Sequence, residues 1–173
     1  IDVFSGEFSR NTMKIAVSAP ITRFKLFSAK VTAVGLFVMI NLMVVMILSL
    51  LTGIIFDFSS LSIEGILQAV ISYVVAIVPV MAIALTIIFF ANIFRSGTAI
   101  FFLAILAYLV LKVVGVFFSG FSSILITSML DWHESWNISS LSPALLLKEF
   151  FLIFGYGIMF FTAGYYLFEN KDL

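Results

Sequence analysis

Four long stretches with almost no charged residues dominate this chain, and they constrain its fold more than any other feature. They predict transmembrane spans at about 31–54, 66–93, 98–118 and 148–168. A bilayer core of roughly 30 Å requires about 20 predominantly apolar residues in a helix, and each stretch reaches that length. The expected fold class is therefore all-α, a polytopic bundle of transmembrane helices.

The composition excludes several other classes of protein. Hydrophobic residues make up 63% of the chain and charged residues 10%, whereas a soluble domain carries about 25% charged residues. The chain has no strongly charged tail, so nucleic acid is not expected as a partner. It contains no cysteine, which rules out disulfides and thiolate chemistry.

Residues 1–30 precede the first span and have a different pattern, which predicts a cytoplasmic unit in front of a transmembrane domain at 31–173. Residues 4–18 have the spacing of an amphipathic helix. Its apolar face carries Phe4, Phe8 and Ile15, and its polar face carries Glu7, Arg10, Asn11, Lys14 and Ser18. Pro20 then predicts a break and a second, interfacial elbow helix from Ile21 to Lys30, with its basic residues at the lipid headgroups.

Lysine and arginine placement predicts the orientation of the chain. Seven basic residues share one side: Arg10, Lys14, Arg23, Lys25, Lys30, Arg95 and Lys171. Only Lys148 falls on the other side, with Lys112 set aside as intramembrane. The positive side of a membrane protein is normally cytoplasmic. We therefore expect a multi-pass protein of the cytoplasmic membrane, with its C-terminus inside and an outer loop at 119–147.

The segment before the first span resembles the cytoplasmic loop of type-2 ABC transporter permeases. Residues 7–12 are Glu-Phe-Ser-Arg-Asn-Thr, residues 20–23 are Pro-Ile-Thr-Arg, and residues 25–30 are Lys-Leu-Phe-Ser-Ala-Lys. Residues 168–172 are similar to the end of the last span in that family. One departure is Asn11, where the family usually has glycine; asparagine also tolerates a left-handed backbone. The resemblance implies that the chain is the C-terminal four of six spans, preceded by two more.

In that family the loop is a coupling helix that rests on a separate ATPase subunit. The resemblance implies docking through Glu7, Arg10, Asn11, Thr12 and Lys14, with an elbow at Pro20 and Arg23 that carries displacement into the first span. A polar helical face suits docking by charged and hydrogen-bonding contacts. From the pattern alone, the alternative is an interfacial helix held by lipid headgroups.

The sequence also indicates what the chain does not do. The dipeptide Gly-Lys never occurs, so the phosphate-binding loop G-x-x-x-x-G-K-[ST] is missing. ATP and Mg would therefore be bound by a partner ATPase, and no cofactor is expected on this chain. An intramembrane enzyme would need paired carboxylates, or a histidine with a nucleophile, inside the spans. The single histidine, His133, lies in the outer loop, and we do not expect an enzyme.

Two polar residues inside the spans have two possible roles each. Asn41, near the middle of the first span, could bond to a neighbouring helix or line a substrate pathway. Lys112 is about 21 Å along a helix that starts at Thr98, in the outer third of the core. It could extend to the headgroups, or pair with a carboxylate. The candidate partners are Asp131, Glu134 and Glu149.

The outer loop offers no recognised metal motif. Asp131, His133 and Glu134 lack metal-ligand spacing, so a solvated loop is expected, with Trp132 and Trp136 in an interfacial aromatic belt. The functional hypothesis is the membrane subunit of a bacterial ABC exporter, paired with a second copy or a related permease and with ATPase subunits. The alternative is a membrane scaffold or toxin-immunity protein that recognises its partner through the outer loop.

Overall fold

The structure, a computed structural model, describes residues 22–56, 62–94, 96–118, 120, 124–136 and 142–170. Within them it contains four long helices: α1 (Arg23–Phe56), α2 (Ile63–Ile93), α3 (Gly97–Phe117) and α4 (Pro143–Glu169). A 3₁₀ helix, Ser128–Trp136, lies between α3 and α4 and is called the cap. All four long helices are long and apolar enough to cross a membrane, and the described residues form no strand. The predicted all-α fold class is confirmed.

Helix α1 differs from the prediction at its start. It begins at Arg23 and continues without a break past Lys30 to Phe56, over 34 residues. The elbow helix expected at 21–30 is instead the first part of the same helix, because nothing between these residues interrupts the backbone hydrogen bonds. The Thr22 hydroxyl accepts from the Lys25 amide at 3.3 Å and caps the first turn. At 1.5 Å per residue the helix is about 51 Å long, more than the hydrocarbon core requires.

Helix α2 is the centre of the bundle. It packs most extensively against α4, and also against α1 and the cap, whereas its contact with α3 is small. Its buried positions include the small residues Ala82 and Ala91, which allow neighbouring helices to approach. The Ser62 hydroxyl accepts from the Gly65 amide at 3.0 Å and caps its first turn. Because α2 joins every other element, it sets their relative positions.

The cap packs onto the bundle instead of forming the solvated loop that the sequence predicts. Met129 and Trp132 are buried in a cluster with Ala82 and Ile153. The side-chain amide of Gln68 donates to the Trp136 carbonyl at 3.1 Å. Helix α4 starts at Pro143, as a proline in the first turn allows, so the connection is shorter than the predicted loop at 119–147. Within the cap, Asp131 and Glu134 do remain exposed.

The helices run up and down, so the bundle has two distinct ends. The junction end holds the start of α1, the end of α2, the start of α3 and the end of α4; side chains from α1 and α4 contact each other there. The cap end holds the cap, the start of α2 and the start of α4. The outward faces of α1 and α3 are exposed and almost entirely apolar, which suits contact with lipid or with other membrane helices.

Candidate functional site

At the junction end, Arg23 joins the start of α1 to the end of α4. Its guanidinium Nη1 donates a hydrogen bond to the backbone carbonyl of Glu169. The last carbonyls of a helix have no partner within that helix, and a positive charge near them is favourable. Arg23 therefore caps α4 from a different helix, at the position where the predicted coupling elbow enters the bundle.

One turn further along α1, Phe27 anchors the same two helices. Its side chain is 0% exposed. Its ring centroid lies 5.4 Å from that of Phe161, 5.8 Å from that of Tyr165 and 5.5 Å from that of Phe168. Ring pairs at such separations add to the free energy gained from burial alone. The start of α1 is therefore fixed by a cluster of aromatic side chains from α4 as well as by Arg23.

Gly164 makes room for this aromatic cluster. A Cβ atom at Gly164 would lie 3.4 Å from Cζ of Phe27, 3.8 Å from Cα of Phe89 and 3.9 Å from Nδ2 of Asn92. Small residues allow close approach of membrane helices, and here the glycine is the point at which α1, α2 and α4 meet. Asn92 is buried, and its amide donates to the Ile88 carbonyl at 3.0 Å.

Lys30 also belongs to the junction end, which corrects its predicted place at the lipid headgroups. Its residue exposure is 7%, and its Nζ lies 6.0 Å from the centroid of the Phe168 ring. An ammonium group at that distance is attracted by the electrons of the ring face. Of the three basic residues expected at the headgroups, only Lys25 is exposed; Arg23 is partly buried and Lys30 is buried against α4.

The junction end brings together residues that sequence patterns did not single out. Of the predicted coupling residues, the structure describes only Arg23. The other six, Glu7, Arg10, Asn11, Thr12, Lys14 and Pro20, lie outside the described residues. Asn92 and the anchoring role of Phe27 were missed, although an amide at the end of an otherwise apolar span was an available signal. A movement of residue 22 can displace the start of α1 and the end of α4 together, because the two helices contact each other there.

Asn41 faces away from its own bundle. Its side chain is exposed, and its Nδ2 donates to the Phe37 carbonyl of the same helix at 2.8 Å. Among the described residues it therefore makes no bond to another helix. Both of its predicted roles would need a neighbour beyond the described part of this chain.

Lys112 lies beside one of its three candidate partners. Its Nζ is 3.8 Å from Oδ2 of Asp131, with side-chain exposures of 45% and 58%. The pair connects α3, which otherwise packs weakly, to the cap. Such half-exposed pairs contribute little to stability in water, and more where the surroundings are less polar.

The described residues offer no evident metal centre. No group of three or more histidine, cysteine, aspartate or glutamate side chains among them is arranged to hold a metal ion. One ring nitrogen of His133, Nδ1, lies 3.0 Å from the Leu130 carbonyl. That contact ties the imidazole to the cap backbone.

Four long apolar helices that contact each other at the junction end are typical of one class of protein, the polytopic α-helical membrane proteins. A family model described as ABC-2 family transporter protein matches residues 2–110, more than half of the chain. The chain belongs to this family, and it is a membrane permease of an ABC transporter. The match includes the predicted coupling segment, α1 and α2. Comparisons with curated proteins and with solved structures give no match.

Proposed function

We propose that the chain is the membrane subunit of a bacterial ABC exporter and works with separate ATPase subunits that bind ATP and Mg. A second permease, identical or related, would complete the substrate pathway. The junction end and the C-terminus would face the cytoplasm, as the distribution of lysine and arginine indicates. Family membership supports a permease, and the missing phosphate-binding loop supports a separate ATPase.

The contact between Arg23 and Glu169 is the observation on which the mechanism rests. The predicted docking residues, 7–14, precede α1 in the chain, so movement of that segment would reach α1 at its first turn. Arg23 and Phe27 hold this turn against α4. Docking of the ATPase would therefore shift the start of α1 together with the end of α4, instead of bending α1 alone.

The test is co-purification of the full-length protein from native membranes in mild detergent, followed by an ATPase assay. Glu7→Lys and Arg10→Glu should each reduce the amount of co-purifying ATPase and its activity, because both reverse a charge on the docking face. Glu134→Lys is the matched control, since it makes the same charge reversal on an exposed residue at the cap end. If the two docking variants retained the ATPase as fully as the control, the coupling role of residues 7–14 would be wrong.

The alternative scaffold or immunity function is less well supported by the cap. Its recognition surface was expected to include Trp132 and Trp136. Trp132 is only 4% exposed, and its ring packs edge-to-face on Trp136 at 5.5 Å and against Phe150 at 6.4 Å. These tryptophans hold the cap on the bundle. A preparation that contains no ATPase, with the wild-type chain intact, would favour the alternative.

A further inference from the structure

Asn41 presents an amide to the outside of the bundle, near the middle of the first span. The uncharged stretch between Lys30 and Asp57 has its centre about 4 Å further along the helix, at 1.5 Å per residue. The Asn41 side chain is exposed, so it faces the hydrocarbon core unless another helix covers it. Because a polar group in that core is unfavourable without a partner, this position favours contact with a second helix.

The Asn41 amide has unused hydrogen-bonding capacity. One N–H of its Nδ2 donates to the Phe37 carbonyl of the same helix at 2.8 Å. An asparagine amide also carries a second N–H and a carbonyl oxygen, and neither has a partner within the described part of the chain. Both groups belong to an exposed side chain, which a neighbouring helix can reach. The position therefore suits a partner that can donate and accept at the same point.

Five exposed apolar side chains extend this polar position into a continuous stripe along α1. Together with Asn41 they recur at alternating intervals of four and three residues, at Phe37, Val44, Leu48, Leu51 and Ile55. The five are 48% to 75% exposed. Such intervals place the side chains on one face, along which two helices can pack side by side. Every face of α1 is apolar, so it is Asn41 that distinguishes this one. These six residues are called the seam.

We propose that the seam is an interface between two copies of this chain, with the two Asn41 amides hydrogen-bonded across it. Copies that share one orientation in the membrane are related by a two-fold axis along its normal, so identical residues lie at identical depth. Each amide can then donate its free N–H to the carbonyl oxygen of the other. A single asparagine in such a seam fixes the register of a parallel helix pair. The inference rests on the pairing of permeases in the proposed function, and it names the helix that forms the pair.

Cysteine cross-linking in native membranes tests the interface. The chain has no native cysteine, so single cysteines in the full-length protein can be oxidised with copper phenanthroline. Val44→Cys lies in the seam and should give a disulfide-linked dimer on a non-reducing gel. Met43→Cys is the matched control and should give no dimer above background. Met43 and Val44 are both 50% exposed and lie at nearly the same depth, but about 100° apart around the helix. Equal cross-linking at the two positions, or none at either, would overturn the proposal.

Variants of Asn41 test the amide pair itself. Energy transfer between donor-labelled and acceptor-labelled copies in vesicles, with the label on an introduced Asn170→Cys, measures the dissociation constant of the pair. Asn41→Leu should raise this constant about tenfold, the effect of one hydrogen bond between polar side chains of membrane helices. Asn41→Gln keeps a donor and an acceptor, so it should retain most of the affinity. An unchanged dissociation constant in Asn41→Leu would contradict the proposal.

The inference and the proposed function fail in different ways. Energy transfer without a cross-link at Val44→Cys would mean that the copies pair through another surface, which overturns the seam and leaves the pairing of permeases intact. No energy transfer in the otherwise wild-type chain would overturn the pairing of identical copies. Coupling to the ATPase is tested separately by Glu7→Lys, because residues 7–14 lie outside the seam.

Discussion

The Phe27 ring lies against the position that a side chain at Gly164 would occupy, with Cζ 3.4 Å from an added Cβ. The two residues are on the first and last long helices, and the contact sets how closely those helices approach at the junction end. Helix packing in a membrane depends on such close fits, because lipid removes most of the hydrophobic driving force between helices. The predictions below follow from this contact and its neighbours.

Gly164→Leu should destabilise the protein, because the added side chain must displace Phe27 or the α2 backbone. Overpacking of this kind costs about 1–3 kcal/mol. The control is Gly155→Leu on the same helix, where an added Cβ meets nothing within 4 Å. Thermal unfolding of the purified full-length protein in one detergent measures both. Equal unfolding midpoints for the two variants would show that the close contact at Gly164 does not determine stability.

Phe27→Ala should be among the most destabilising single changes in α1. The residue is fully buried among aromatic rings, and truncation of such a side chain costs about 3–5 kcal/mol. Phe37→Ala is the matched control, because Phe37 lies on the same helix and is 68% exposed. Unfolding at increasing concentrations of a denaturing detergent should give clearly different midpoints for the two variants. A similar loss for both would mean that the aromatic cluster is not the main anchor of α1.

Arg23→Ala should loosen the link between the start of α1 and the end of α4. The chain has no native cysteine, so spin labels on cysteines introduced at Thr22 and Asn170 would report the distance without background. We expect a broader distance distribution in Arg23→Ala, and a loss of about 1 kcal/mol in stability from the missing cap of α4. Lys25→Ala is the control. An unchanged distribution in Arg23→Ala would remove the basis for joint movement of α1 and α4.

The pair formed by Lys112 and Asp131 should show a measurable coupling energy in a double-mutant cycle. Lys112→Gln, Asp131→Asn and the double variant would be compared by thermal unfolding at low and high salt. For a half-exposed pair we expect about 0.2–1 kcal/mol at low salt, decreasing as salt rises. Asp131 lies in the same segment as the exposed Glu134. The control is therefore a second double-mutant cycle, which combines Lys112→Gln with Glu134→Gln. A coupling energy of zero at low salt would mean that the pair does not hold α3 to the cap.

The sequence predicted the number and approximate positions of the spans because long uncharged stretches leave few other solutions. It could not predict which residues of each span face the bundle. Every face of these helices is apolar, so Phe27 and Phe37 look alike in a periodicity analysis, although one is fully buried and the other exposed. The contact between Arg23 and Glu169 joins residues 146 positions apart, and no local pattern encodes it.

The two largest differences from prediction have similar causes. Lys30 was expected at the headgroups because lysine normally extends there, but the aromatic cluster of α4 provides an alternative partner in Phe168. The cap was expected to be solvated because its residues are mainly polar. Burial of Met129 and Trp132 was enough to bring the whole segment onto α2 and α4.

Among the described residues, helix α3 packs far less against the rest of the chain than the other three long helices do. Its tilt is therefore not determined by the polypeptide alone, since tilt in a bilayer follows from the neighbours that a helix contacts. The lipid or the subunit that surrounds α3 therefore helps to determine its orientation in the folded state. Stability measured on the isolated chain in detergent then leaves out the contribution of those neighbours.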